Sequence, residues 1–126
     1  MIVVDSCGWL EAIKGSELSR EYVPAFADPA QIVVPTICLL EVSRVMYRER
    51  GREAAAECLV IMSLGQVVSL DGDLVAAASA LGVDHRLPLA DSIVYATARA
   101  HDAELWTHDP HFRDLPAVRF VGVPEA

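Results

Sequence analysis

The chain has 126 residues, 53% of them hydrophobic, and a formal net charge of −8. This length and apolar content suit a single domain over residues 1–126 with a sizeable core. The negative charge argues against a surface that grips phosphates directly, because proteins that do so usually carry a basic face. Acids that hold divalent cations can still handle phosphates, because the cations reverse the local sign of the field.

The sequence shows no targeting or membrane segment. It begins directly with a predicted strand and has no basic region ahead of it, so no signal peptide is apparent. No apolar run approaches the roughly 20 residues that are needed to cross a bilayer. Cys7, Cys38 and Cys58 are odd in number and far apart, which is typical of small buried side chains in a reducing compartment. We therefore expect a cytoplasmic protein with no membrane contact.

Predicted strands and helices alternate along the chain, with short connections between them. The predicted strands are residues 1–4, 31–34, 66–70, the segment that ends at Thr107, and 118–121, which a short polar tail follows. The predicted helices are residues 8–14, one from 16 toward 26, 37–50, 53–64, 74–81 and one that opens at Pro88. Such alternation predicts an α/β fold of three layers, α/β/α, around a mainly parallel sheet of four to five strands.

Several helix boundaries and faces are also predicted. Thr36 is expected to cap the helix 37–50, and Gly82 to close the helix 74–81. The helix 37–50 should pack on the sheet through an apolar face formed by Leu39, Val42 and Met46 and widened by Ile37 and Leu40. The large aromatic residues are expected in the core or at an interface: Trp9, Trp106 and Phe112.

Four carboxylates fall where a parallel α/β sheet usually places a ligand. Asp5 closes the first strand, and Asp109 follows the fourth. Glu41 lies in the second turn of one helix, and Asp91 lies in the first turn of another. If these positions meet at the carboxyl edge of the sheet, the acids repel one another unless they bind a divalent cation. Mg²⁺ fits such oxygen ligands, and in-line attack of water on a phosphodiester is then the chemistry open to the site.

Each acid also has a purely structural explanation. Asp5 and Asp91 could favour helix N-termini through the macrodipole, worth about 0.3–1 kcal/mol each. Glu41 could pair with Arg44 or Arg48 on the helix surface, worth about 0.2–0.5 kcal/mol. Asp109, which precedes a proline, could be an ordinary turn residue. Only the joint placement of the four acids favours a functional site.

Other kinds of site find less support. His101, His108 and His111 have no spacing typical of a zinc site, and we do not expect these histidines to carry the chemistry. No glycine-rich phosphate loop is present, so a nucleotide cofactor is not expected.

The motifs in chain order resemble those of the PIN-domain ribonucleases. They are Val3-Val4-Asp5-Ser6, Glu41 in its helix, Leu87-Pro88-Leu89-Ala90-Asp91, and Thr107-His108-Asp109-Pro110-His111-Phe112. The last motif fits the family pattern T-x-D-x-x-F. The resemblance covers essentially the whole chain and is closest to the VapC-type toxins of toxin–antitoxin modules.

This resemblance implies an endoribonuclease that depends on Mg²⁺ or Mn²⁺ and cuts structured RNA such as tRNA or ribosomal RNA. Asp5, Glu41, Asp91 and Asp109 match the catalytic, metal-binding acids of the family, and Ser6 and Thr107 match positions of supporting hydroxyls. The family also implies a homodimer and a cognate VapB-type antitoxin that inserts a segment, often with an arginine, into the acidic pocket. The candidate RNA-binding residues are Arg44, Arg48, Arg86 and Arg99.

Two alternatives remain open from the sequence. A catalytically silent PIN-like module could act through dimerisation or partner binding, but such a module has no need for four mutually repelling acids. A phospho-acceptor receiver domain also uses aspartates at strand ends. The chain lacks the paired acid beside Asp5 and the lysine near the last strands that such a domain requires.

Overall fold

The sheet of the computed structural model, which describes residues 1–122, consists of five short parallel strands. These strands are β1 (Ile2–Val4), β2 (Val33–Pro35), β3 (Gln66–Val68), β4 (Glu104–Thr107) and β5 (Val118–Phe120). β4 pairs with both β1 and β5, and β2 pairs with β3. A bridge between Ile2 and Ile32 joins the two groups. The spatial order is therefore β3–β2–β1–β4–β5.

Helices connect these strands. They are α1 (Ser6–Lys14), α2 (Ser19–Tyr22), α3 (Thr36–Arg50), α4 (Arg52–Met62), α5 (Gly72–His85) and α6 (Leu89–Ala100). Short 3₁₀ turns lie at Val23–Phe26, Pro29–Gln31 and Pro110–Phe112. The predicted three-layer α/β/α class with a parallel sheet is confirmed. None of the helices formed by residues 1–122 has the length and apolar character needed to span a membrane.

The central strand β1 and its neighbour β2 are buried on both faces. Val3 and Val4 of β1 and Val33 and Val34 of β2 have no exposed surface. Parallel strands covered by helices on both sides need apolar side chains at consecutive positions, which explains their β-branched runs. The predicted core aromatic residues are buried as expected: Trp9, Trp106 and Phe112. Of the three thiols, Cys38 and Cys58 are buried, whereas Cys7 is only partly buried.

The prediction that Gly82 closes a helix is wrong. α5 continues past Gly82 to His85 and ends at Arg86, which adopts the left-handed conformation with φ of 57°. Gly82 is buried inside the helix, and a Cβ built on it would lie 2.9 Å from the Cβ of Ser92 in α6. The glycine therefore permits the close approach of α5 and α6 and has no role as a cap.

The N-terminal half of the chain also differs from the prediction in detail. Thr36 is the first residue of α3 and does not cap it, because Pro35 occupies the N-cap position and no side chain accepts a bond there. Leu40 was expected on the packing face of α3 but is 59% exposed. The helix predicted from residue 16 toward 26 is split into α2 and a 3₁₀ turn that contains Pro24.

The remaining boundaries differ from the prediction by one or two residues. Residues 123–126 of the predicted polar tail lie outside the described part of the chain.

The pairing of β1 with β4 sets the position of the site. Val4 lies opposite Trp106 in the ladder, and the backbone N–H of Asp5 donates to the carbonyl of Trp106 at 3.0 Å. Asp5 and Thr107 therefore leave the carboxyl edge of the sheet side by side. Ligand sites of open α/β sheets form outside this edge.

Candidate metal centre

Asp5 is the buried acid of the site. Its side chain is held by Thr107, whose Oγ1 donates to Oδ2 at 2.8 Å, and by the backbone N–H of Ser6, which donates to Oδ1 at 2.8 Å. The residue is 4% exposed, and Thr107 has no exposed surface. Asp5 is thus an N-cap of α1, as the structural explanation proposed, while its Oδ2 is oriented by the adjacent strand.

The electrostatic setting of Asp5 is unfavourable to its charge. Burial raises the pKa of Asp5, and the negative charge of Asp109 contributes to the rise. The hydrogen bonds from Thr107 and Ser6 oppose this rise by stabilising the carboxylate. Cys7 also lies here, with Sγ 3.6 Å from Oδ2 of Asp5. Burial and the charge of Asp5 raise the pKa of this thiol to about 12, so Cys7 stays protonated at neutral pH.

Glu41 faces the same corner of the sheet. Ser6 Oγ donates to Glu41 Oε1 at 2.6 Å, which links α3 to the beginning of α1. The proposed surface pair with an arginine is not formed among the described residues: the closest acidic partner of Arg48 is Glu49, at 4.0 Å. The side chain of Glu41 is therefore directed toward Asp5 and its neighbours.

Asp91 and Asp109 complete the acidic cluster from two further elements. Asp91 lies in the first turn of α6, and Asp109 follows β4. Burial raises the pKa of Asp91 from 3.8 to about 6. The charges of Asp109, Asp5 and, to a smaller extent, Glu41 contribute to this rise. The other three predicted acids thus lie close enough to act on Asp91, although all four are far apart in the sequence.

His111 also belongs to this cluster. Its Nδ1 lies 3.2 Å from Asp91 Oδ2 and 3.0 Å from Asp109 Oδ1. The histidines were not expected to carry the chemistry, and the structure places this one in contact with two of the acids. The ring of His108 contacts a different residue, with Nδ1 2.7 Å from the hydroxyl of Tyr22.

The contact of His111 depends on a tight turn. Asp109 Oδ1 accepts from the backbone N–H of His111 at 2.9 Å, and the 3₁₀ turn Pro110–Phe112 brings the imidazole back over the acid. The signal in the sequence was the spacing Asp-Pro-His, because a proline after an Asx residue favours such a turn.

The candidate RNA-binding arginines lie at different distances from the acids. Arg44 and Arg48 are exposed on the face of α3 that continues from Glu41, beside Tyr47. Arg86 is exposed at the end of α5, five residues before Asp91. Arg99 lies in the last turn of α6 with its guanidinium 5.9 Å from the ring centre of Tyr95. At about 1.5 Å per residue, it is about 12 Å along the helix from Asp91.

The residues of the cluster suit a divalent cation. Asp91, Asp109 and His111 each offer one ligand atom, and these atoms all lie within 4.8 Å of one another. Asp91 and Asp109 are partly exposed, with side-chain exposures of 16% and 26%. A cation could therefore reach them from solvent, and it would relieve the repulsion that raises the pKa of Asp91. Asp5 and Glu41 are not members of this group of three, but their charges are close enough to contribute to the raised pKa of Asp91.

The PIN-domain family model matches residues 2–118. The chain belongs to the PIN-domain family. The family predicted from the motifs is thereby confirmed. A search of curated proteins finds no match.

Solved structures with the same fold cover nearly the whole chain. A toxin–antitoxin complex from Klebsiella pneumoniae matches with a TM-score of 0.82 and 22% identity, over 94% of this chain and 96% of that one. The VapC20 toxin of Mycobacterium tuberculosis, described as cleaving the Sarcin-Ricin loop, matches with a TM-score of 0.72 and 20% identity, over 89% and 92%. VapBC2 from Rickettsia felis, bound to promoter DNA, matches with a TM-score of 0.75 and 17% identity, over 97% of this chain and 100% of that one. Because all three identities are below 25%, these matches establish a shared fold alone.

Proposed function

We propose that this PIN domain is an endoribonuclease toxin that depends on a divalent cation and hydrolyses phosphodiester bonds in structured RNA, of the tRNA or ribosomal RNA class. The observation that carries the proposal is the convergence of Asp5, Glu41, Asp91 and Asp109 at the carboxyl edge of the parallel sheet. A protein without metal chemistry has no use for neighbouring acids whose charges raise the pKa of Asp5 and Asp91. The described activity of the structurally similar Mycobacterium tuberculosis toxin supports the same substrate class.

One acid of the site is buried and three are partly exposed. The partly exposed Asp91 and Asp109 would hold Mg²⁺ or Mn²⁺ where a phosphate can approach, with the partly buried Glu41 and the buried Asp5 as further acids of the site. When bound, the cation supplies positive charge for the phosphate and lowers the pKa of water for the attack. Thr107 fixes the orientation of Asp5, and Ser6 fixes that of Glu41, each through a direct hydrogen bond.

An RNA cleavage assay tests this function. The purified protein is incubated with total RNA in Mn²⁺, in Mg²⁺ or in EDTA, and the new RNA ends are sequenced. We expect one or a few defined cuts with metal and none with EDTA. Asp109→Asn should lose about a hundredfold or more in rate, whereas Asp114→Asn, an exposed acid in a nearby loop, should keep the wild-type rate. Cleavage that persists in EDTA, or that is unchanged in Asp109→Asn, would contradict the proposal.

We also propose that a VapB-type antitoxin binds an apolar groove between α1 and α4 and holds the toxin inactive by inserting a segment into the acidic pocket. Trp9, Ile13, Phe26, Ile61 and Leu64 line this groove, which has a volume of about 350 Å³. Ile61 is 52% exposed and Leu64 is 68% exposed, so a partner would remove apolar surface from water. The net charge of −8 favours a basic partner. The Klebsiella pneumoniae structure of the same fold is itself a toxin–antitoxin complex.

A homodimer through the α5–α6 face is the second proposed interface. Val83 is 79% exposed, Leu89 is 84% exposed, and both line one apolar groove on this face. In a symmetric dimer the same patch of both copies forms the contact. Val83 and Leu89 of each copy could therefore pack into the groove of the other.

Two charged substitutions test the interfaces against each other. Val83→Glu should convert the dimer to a monomer in light scattering after size exclusion and should leave antitoxin binding intact. Ile61→Glu should abolish binding of the antitoxin encoded in the same module and should leave the dimer intact. The reverse pattern, or no effect of either substitution, would contradict the two assignments.

A further inference from the structure

His111 contacts two acids of the site through one ring nitrogen. Its Nδ1 is 3.2 Å from Asp91 Oδ2 and 3.0 Å from Asp109 Oδ1, so one ring nitrogen faces carboxylates from two separate elements. The side chain is 56% exposed, which leaves the rest of the ring in contact with solvent. No packing requirement of the core accounts for this placement.

The turn after β4 fixes this position in advance. Thr107 Oγ1 accepts from the backbone N–H of Asp109 at 3.0 Å, and Asp109 Oδ1 accepts from the backbone N–H of His111 at 2.9 Å. Pro110 restricts the backbone between Asp109 and His111. Phe112, the residue after His111, is fully buried. The imidazole is thus anchored on both sides along the chain, as binding residues require.

The spacing of the three donor atoms matches that of neighbouring ligands around one ion. Bonds of about 2.1 Å in an octahedral shell place adjacent ligands about 3.0 Å apart. The two distances from Nδ1 to the carboxylate oxygens, 3.0 and 3.2 Å, are of this size. The three atoms also lie within 4.8 Å of one another, which is compatible with one shared ion.

The chemical character of the donors then favours one class of ion. Mg²⁺ takes oxygen ligands and water, and it tolerates an imidazole nitrogen poorly. First-row transition ions accept imidazole readily, and among them Mn²⁺ also suits carboxylates and water. We propose that His111 is a third ligand beside Asp91 and Asp109, and that this nitrogen makes the centre prefer Mn²⁺ to Mg²⁺. The inference rests on the proposed function for the presence of a cation and adds its identity.

Metal titrations by calorimetry test the preference. The wild type, His111→Ala, His111→Asp and His101→Asn are each titrated with Mn²⁺ and with Mg²⁺. His101 serves as the matched control because it lies at the opposite end of α6, where its Nδ1 contacts the carbonyl of Thr97. The wild type and His101→Asn should bind Mn²⁺ about tenfold or more tighter than Mg²⁺.

The two variants of His111 should change this ratio in a defined way. His111→Ala should lose about tenfold or more in Mn²⁺ affinity but little in Mg²⁺ affinity. His111→Asp, which restores three oxygen ligands, should raise the Mg²⁺ affinity above that of His111→Ala. A ratio of affinities that is the same in the wild type and His111→Ala would overturn the inference and leave His111 as a hydrogen-bond partner of the two acids.

Electron spin echo spectroscopy of the Mn²⁺-loaded protein gives an independent readout. A ¹⁴N coupling is expected in the wild type and in His101→Asn, and its loss is expected in His111→Ala. A Mn²⁺ signal without nitrogen coupling in the wild type would overturn the assignment even if RNA cleavage depends on metal. Cleavage that is insensitive to EDTA would instead contradict the proposed function, so the two failures are distinguishable.

Discussion

The carboxylate of Asp91 lies partly buried among other negative charges. Its pKa is about 6 in the folded protein, compared with 3.8 for an ordinary aspartate. The folded state therefore binds this proton more tightly than the unfolded state does. As the pH rises from about 4 to about 6, the proton is lost and the metal-free protein becomes less stable. Above this range the penalty is fully present.

Asp91→Asn should remove this pH dependence. In EDTA at pH 4 the variant and the wild type should have similar stability, and at pH 7 the variant should be more stable by about 1–2 kcal/mol. The full shift corresponds to about 3 kcal/mol, but partial exposure of the site reduces it. Urea denaturation at several pH values measures the difference. A difference that does not change between pH 4 and pH 7 would show that the charge of Asp91 is not the cause.

Thr107 supports two residues of the site through one hydroxyl. Its Oγ1 donates to Asp5 Oδ2 and accepts from the backbone N–H of Asp109. Thr107→Val preserves the shape of the side chain but leaves both groups without this partner. We expect the free energy of unfolding to fall by about 1–3 kcal/mol.

The matched control is Thr97→Val. Thr97 is also buried, but its hydroxyl donates to the carbonyl of Ile93 within the same helix. That carbonyl already accepts a backbone hydrogen bond within the helix, so the free energy of unfolding should fall by less than about 1 kcal/mol. Equal losses in the two variants would mean that Thr107 has no particular role in orienting the acids.

The contact between α5 and α6 determines where the first turn of α6, and therefore Asp91, lies. Gly82 of α5 faces Ser92, the residue after Asp91. Ser92 is itself held by a bond from Oγ to the carbonyl of Pro88 at 3.0 Å. A methyl group at position 82 would force the two helices apart at this point. The helix that carries Asp91 thus depends on a small residue in its neighbour.

Gly82→Ala should lower the free energy of unfolding by about 1–3 kcal/mol, because overpacking exceeds the gain in helix propensity. Gly72→Ala is the control, because a Cβ at that exposed position of the same helix meets no atom within 4 Å. Thermal unfolding of both variants measures the effect. If Gly82→Ala were as stable as Gly72→Ala, the close contact would not constrain the helices.

Local patterns in the sequence predicted most elements but not all of their limits. The runs in β1 and β2 identify buried strands without ambiguity, and the helix boundaries near Lys14 and Arg50 follow from Gly15 and Gly51. The role of Gly82 was predicted wrongly because the sequence of a single helix does not distinguish a glycine that permits contact with another helix from a glycine that ends the helix. Which of the two applies is decided by α6, a separate element.

The site itself could be predicted as far as it depends on sheet topology. Parallel strands bring Asp5 and the residues after β4 to the same edge, and that rule needs only the order of elements. His111 was missed because its contact depends on the conformation of the 3₁₀ turn after Asp109. No periodicity reports that conformation, and only the Asp-Pro-His spacing could have indicated it.

At the scale of the whole molecule, the acidic cluster and the net charge of −8 act in the same direction. Both make the metal-free protein less stable than a neutral version of the same fold, and both favour cations. The fold brings acids together from β1, α3, α6 and the turn after β4, so no single element carries the unfavourable charge. We expect a divalent cation to offset this repulsion.

The most direct test is the stability of the wild type and of Asp91→Asn at pH 7, each with EDTA and with Mn²⁺. In EDTA the variant should be the more stable protein, because one repelling charge is gone. Mn²⁺ at about 100 times its dissociation constant should stabilise the wild type by about 2.7 kcal/mol. The variant should gain much less, so the order of stability should reverse. If Mn²⁺ left the wild type unchanged, or stabilised both proteins equally, the acids would not form the proposed metal centre.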